Sequence, residues 1–147
     1  SRPRVVCLEW LSPPYIGGHW IPEMLEAAGG HDALGQAGEP SRQVKREEIR
    51  AAAPDLLIVM PCGFSVARTV SELTLLCRKD PASSGLLSCA SKVYVVNAGS
   101  YFSRPGPRLV DGVELMADIC AGTVSSSRGD DAVRDLTGSA CLAGRTL

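Results

Sequence analysis

The chain has no phosphate cradle: neither G-x-G-x-x-G nor G-x-x-x-x-G-K-[ST] occurs, so nothing points to a nucleotide. No C-x-x-C pair occurs among its six cysteines (Cys7, Cys62, Cys77, Cys89, Cys120 and Cys141), and their wide spacings do not suit a cysteine zinc or redox site. A disulfide among them cannot be assigned from spacing. No apolar run approaches the roughly 18 residues of a membrane span. No secretory n-region and h-region open the sequence at SRPRVV. A formal net charge of -1 and the lack of a basic run give no footprint for nucleic acid. Aromatics are scarce as well, at 5% of 147 residues, so where they fall is informative.

What is present is one domain's worth of core, 45% hydrophobic and 21% charged. Residues 4–10 (RVVCLEW), 55–61 (DLLIVMP) and 92–97 (KVYVVN) are near-continuously apolar and rich in branched side chains. Strands buried on both faces look like this, and they imply a parallel sheet covered by helices on both sides.

Helical patterns separate these runs. Residues 19–28 place Trp20, Met24, Leu25 and Ala28 along one side, with Pro22 in the first turn and Gly29-Gly30 as the stop. Residues 46–53 form a short helix whose Glu47 and Glu48 suit the positive N-terminal end. Ser65 caps a helix carrying Val66, Val70, Leu73 and Cys77. Pro107 begins another, with Leu109, Val113, Met116 and Cys120 at the same offsets. With a weak short strand at residues 32–35, the expectation is a three-layer α/β/α sandwich around a mostly parallel sheet of about four strands. Residues 1–121 form that domain. Residues 122–147, small and polar, read as a mobile tail with one helical turn near 132–136.

In an open parallel sheet, ligands collect beyond the carboxyl ends of the strands. Trp10, Tyr15, Trp20, Phe64, Tyr101 and Phe102 all fall in the three segments expected there, and only Tyr94 lies elsewhere. An edge of aromatics, prolines and glycines with few charges suits a bulky, largely apolar organic ligand. A thiol-enzyme reading stands beside it: Cys62 follows a strand and precedes a helix, with His19 as a candidate base, although MPCGF lacks the nucleophile-elbow frame. His31, past the Gly-Gly stop, belongs to the opposite edge and reads as structural.

Three blocks, EWLSPPYIGGHWIPEMLEAAGG, VKREEIRAAAPDLLIVMPCGF and YFSRPGPRLVDGVELMADI, resemble in order and spacing the cobalamin-binding branch of the class III periplasmic substrate-binding proteins of ABC importers. The likeness spans roughly residues 4–121. It implies a non-catalytic, extracytoplasmic binding protein with two α/β lobes joined by a long helix, of which this chain resembles the second lobe. The first lobe would precede Ser1 and supply the facing wall of the cleft. By the resemblance, Trp10, Pro14, Tyr15 and Trp20 belong to the first ligand-facing loop, and Cys62, Gly63 and Phe64 to the floor. Tyr101, Phe102 and Arg104 meet the ligand's periphery, Arg108 braces that loop, and Glu47 docks on the transporter permease. No prosthetic group or metal site is implied; cobalamin is the cargo. A ferric siderophore or haem is the alternative within the same fold, with His19 or Tyr101 available as an axial ligand to haem.

Overall fold

The computed structural model describes residues 1–103 and 105–139. Three parallel strands make the centre: β1 (Arg4–Leu11), β5 (Leu56–Val59) and β6 (Lys92–Val96). Val5 to Leu8 pair with Leu56 to Val59, and these in turn with Lys92 to Val95. The three apolar runs are thus the three central strands, and a two-residue β3 (His31–Asp32) adds in parallel at the start of β1, overlapping the weak strand expected at residues 32–35 only at Asp32.

The central strands alternate between two apolar layers. Val6, Leu8, Leu57, Val59, Val93 and Val95 meet α2 (Arg46–Ala51), α3 (Val66–Lys79) and α4 (Pro81–Leu87) through Ile49, Val66, Leu73, Leu86 and Leu87. Val5, Cys7, Leu56, Ile58, Tyr94 and Val96 meet α1 (Ile21–Ala27) and α6 (Arg108–Ala121) through Met24, Leu25, Leu115, Met116 and Ile119. That two-sided burial is why these strands carry almost no polar residue. Burial also pushes the Cys7 thiol well up, which keeps it an inert core residue.

Three short antiparallel strands extend the sheet beyond the sequence expectation. β2 (Pro14–Ile16) folds back on β1, β4 (Arg42–Gln43) pairs β2, and β7 (Val133–Asp135) pairs β6, giving the order β4-β2-β1-β5-β6-β7. The pairing of β1 with β2 slips by one residue between Leu8 and Trp10, and Leu8 and Leu11 consequently face the same apolar layer. The helical turn expected near residues 132–136 is therefore a strand. Val133 and Leu136 bury their side chains, and the Val93 N–H reaches Thr137 Oγ1 at 3.0 Å. Gly122, left-handed at φ 72°, ends α6 and redirects the chain toward that strand.

The expected helices are recovered with small boundary changes. The first begins at Ile21 with Trp20 as its N-cap, leaving His19 in the left-handed region at φ 56°. Ser65 Oγ accepts from the Arg68 N–H at 3.1 Å and caps α3. Two helices were not expected: α4, which Asp80 caps through the Ala82 N–H at 3.1 Å, and a four-residue α5 (Ala98–Tyr101), capped by Asn97. Among the described residues, no helix is long and apolar enough to cross a membrane.

Candidate ligand-binding edge

The carboxyl ends of β1, β5 and β6 open onto a row of shallow depressions. On the α3 side, a cavity of about 240 Å³ is lined by Trp10, Leu11, Pro61, Phe64, Leu73 and Leu76 among others. Trp10 meets Phe64 edge-on, with ring centroids 5.5 Å apart and planes at 83°. The Trp10 Nε1–H donates to the Ser12 carbonyl at 3.0 Å, so the indole is held although it is 41% exposed. Above Phe64 lies the Arg68 guanidinium, its Cζ 3.8 Å from the ring centroid.

On the α1 and α6 side, a cavity of about 300 Å³ is lined by Glu9, His19, Trp20, Met60, Cys62 and Phe102. It adjoins one of about 480 Å³ bounded by Cys62, Gly63, Tyr101, Phe102, Pro105 and Arg108. Cys62, Phe102 and Ser103 are common to both, which makes the turn after β5 the centre of the edge. Gly63 holds that turn at φ 78°, a conformation a side chain would oppose.

Hydrogen bonds fix the walls. Trp20 Nε1–H donates to the Phe102 carbonyl at 2.8 Å, tying the start of α1 to the segment after α5. Phe102 is 3% exposed, so it does not present its ring as expected from sequence. Its side chain fills the core under α6, where Gly112 lets it approach, and its carbonyl anchors Trp20. Pro14 is likewise buried, opposite Leu11 in the β1–β2 hairpin. Tyr15 is 37% exposed and stands across from Trp10, its hydroxyl 3.4 Å from Gln43 Oε1. Tyr101 is half-buried against the core that Phe102 enters, the two rings 6.1 Å apart.

The His19 N–H donates to the Glu39 carbonyl at 2.6 Å, and its carbonyl accepts from Gly38 at 3.1 Å. A Cβ at Gly18 would run into the backbone of Pro40 and Ser41, so glycine is required for this approach. Ser41 in turn donates to the Glu9 carboxylate at 2.6 Å. Cys62 is exposed, and among the described residues no hydrogen bond joins it to His19, although both line the same cavity. Nor do three or more His, Cys, Asp or Glu side chains among the described residues gather as a metal site.

Arg108 is exposed on the rim and makes no hydrogen bond among the described residues, in place of the bracing role expected for it. Trp20 does that bracing. Arg104 lies outside the described residues. Glu47 is exposed in the first turn of α2, free of ion pairs among the described residues, beside a depression that runs to Ser12–Pro14 of the β1 loop. His31 sits at the far edge, its backbone in register with Arg4 of β1, and its Nδ1 lies 3.1 Å from Glu26 Oε1. Arg68, Glu9 and Ser41 were not singled out in the sequence. The one available signal was an arginine in the positively polarised first turn of a helix.

No family model matches the chain, and no curated protein matches its sequence. Solved structures do match. The periplasmic vitamin B12 binding protein BtuF of Vibrio cholerae is 20% identical with a TM-score of 0.62, over 84% of this chain and 46% of its own. A periplasmic heme binding protein from Pseudomonas aeruginosa is 16% identical at a TM-score of 0.64, over 91% and 48%. An ABC-type Fe3+-hydroxamate transport protein from Saccharomonospora viridis is 19% identical at 0.56, over 82% and 42%. The chain thus spans just under half the length of the proteins it matches. Its fold is that of one lobe of a periplasmic binding protein.

Proposed function

We propose that this lobe is one wall of a substrate-binding protein serving an ABC importer, and that it binds a corrinoid of the cobalamin type without transforming it. The observation that carries the reading is the row of rings at the strand ends. Trp10 and Phe64 flank one depression, Trp20 and Tyr101 stand around the next two, and Cys62 and Gly63 form a small-residue floor between them. A broad, mostly apolar edge with rings held by hydrogen bonds suits a large rigid ligand better than a small polar one. Such an edge has half the contacts of a closed cleft, so the reading includes a facing lobe. It also includes an extracytoplasmic location and docking of the free Glu47 carboxylate on a basic patch of the permease.

Haem is the second reading, favoured by one observation: His19 lines the central cavity from a backbone conformation that non-glycine residues rarely adopt. A thiol enzyme has less behind it, because Cys62 has no hydrogen-bonded base among the described residues.

The test is a titration of the chain, and of the chain joined to a facing lobe, with cyanocobalamin, hemin and ferrichrome, followed by absorbance and calorimetry. Saturable binding of cyanocobalamin, lost in Trp10→Ala and Tyr101→Ala and retained in Cys62→Ser, is the expected result. No binding of any of the three in either form overturns the transport reading.

A further inference from the structure

Arg68 stands where local physics disfavours it. It occupies the first turn of α3, where the helix N-terminus is already positive, and that turn contains no acidic residue. In α1, α2 and α6 the first turn holds Glu23, Glu47 with Glu48, and Asp111. Among the described residues the Arg68 guanidinium forms no ion pair, although Glu72 lies four residues along the same helix. Instead it lies over Phe64 at 3.8 Å, beside a ring that Trp10 braces edge-on. A cation that neither serves its helix nor pairs with the acid one turn along it is placed for something else.

We propose that Arg68 is the oxyanion-binding arm of this edge, receiving a carboxylate or phosphate on the periphery of the bound ligand. The inference rests on the reading of the edge as a ligand wall and adds the chemistry of one subsite. The Phe64 ring, 3.8 Å from Cζ, covers one side of the guanidinium, and the guanidinium N–H donors make no hydrogen bond among the described residues. A stacked guanidinium is therefore oriented for a bidentate oxyanion before the ligand arrives. The adjoining cavity, lined by Trp10, Leu11, Pro61 and Phe64, takes apolar surface, so a ligand with an apolar body and an acidic substituent matches both. Glu72 lines that cavity one turn further along α3, which directs the oxyanion to the Phe64 end. Stacking alone, without a ligand, is the competing role, and a simple exposed cation–π pair contributes only about 0.5–1 kcal/mol.

Two pairs of probes test this: hemin against hemin dimethyl ester, and cyanocobalamin against dicyanocobinamide, which lacks the nucleotide loop and with it the phosphodiester, so that the part of the difference removed by Arg68→Gln is the readout. For whichever pair the parent chain binds, the oxyanion-bearing member should bind about tenfold tighter, the scale of one charge-assisted hydrogen bond. Arg68→Gln should abolish that preference and leave the neutral member's affinity unchanged, while the urea midpoint moves little because the lost contact with Phe64 and the relieved charge at the helix N-terminus oppose each other. A response in the hemin pair identifies a carboxylate, and one in the corrinoid pair a phosphate. Equal weakening of both members by Arg68→Gln, or no effect on either, overturns the inference while the ligand-wall reading stands. If neither pair binds to the chain or to the chain joined to a facing lobe, the ligand-wall reading fails, and this subsite with it.

Discussion

Gly112 tests whether the loop after β6 is packed as tightly on α6 as the geometry requires. A Cβ built there lies 2.8 Å from Met24 Cε, from Phe102 Cε1 and from the Tyr101 carbonyl oxygen. The methionine methyl ends a flexible chain and can swing aside. The Phe102 ring cannot, since it is buried, and the Tyr101 carbonyl is backbone in the segment that Trp20 clamps. Forcing a methyl into such a site costs about 2–3 kcal/mol. Against this, alanine in place of glycine inside a helix gains about 1 kcal/mol. Gly112→Ala should therefore lose about 1–2 kcal/mol, or roughly 3–6 °C in Tm for a domain of this size. Urea titration monitored by tryptophan fluorescence measures it, with an unchanged m-value as the check that only stability moved. A variant as stable as the parent, or more stable by the helix-propensity gain, would refute the close approach of the Tyr101–Phe102 segment to α6.

Trp20→Phe keeps an aromatic ring but removes the donor to the Phe102 carbonyl and part of the indole packed on the core; it should cost at least about 0.5–1.5 kcal/mol in urea and weaken binding of the cognate probe in calorimetry. Ser65→Ala removes the cap of α3 and should lower stability by about 1 kcal/mol by the same measurement. Asp32 concerns pH: burial raises its carboxyl above the usual aspartate range, against the pull of the Leu34 and Gly35 N–H groups. The folded chain therefore holds that proton more tightly than the unfolded one. Its contribution is most favourable below the ordinary aspartate value and is lost as pH rises through the folded value. Both N–H groups bond to Oδ1, so Asp32→Asn can keep them while removing the titration. Urea midpoints measured from about pH 4 to 7 should show a flatter profile for Asp32→Asn, with no loss of stability at pH 7.

The parallel centre was legible because its strands are buried on both sides, and a run such as LLIV leaves no polar position to misread. The same holds for α3 and α6, whose apolar offsets face a single layer. Edge strands gave no such signal. Arg42 and Gln43 are both exposed, and Val133 is the only fully buried side chain in β7, so neither has a period long enough to detect. In α4 the Asp80-Pro81 start was visible in the sequence, but buried Ser83 and Ser84 broke the apolar pattern. At the candidate site, the gathering of aromatics at the strand ends was readable from order alone. Which rings would face outward was not. Phe102 turns inward because glycine at position 112, ten residues later, leaves room for it. The Arg68–Phe64 stack, four residues apart across a loop-to-helix join, depends on the direction in which α3 leaves the sheet.

The register slip in β1 has a further bearing on how such an edge could change over time. Between Leu8 and Leu11, which share one apolar layer, a regular strand would fit a single residue; here there are two, Glu9 and Trp10. The extra position lets one strand end place an acid at the rim of one depression and an indole at the other. Deleting one residue would leave the sheet intact but force a choice between acid and indole. Strand length, more than side-chain identity, is thus what a descendant sequence would have to preserve to keep both halves of the edge.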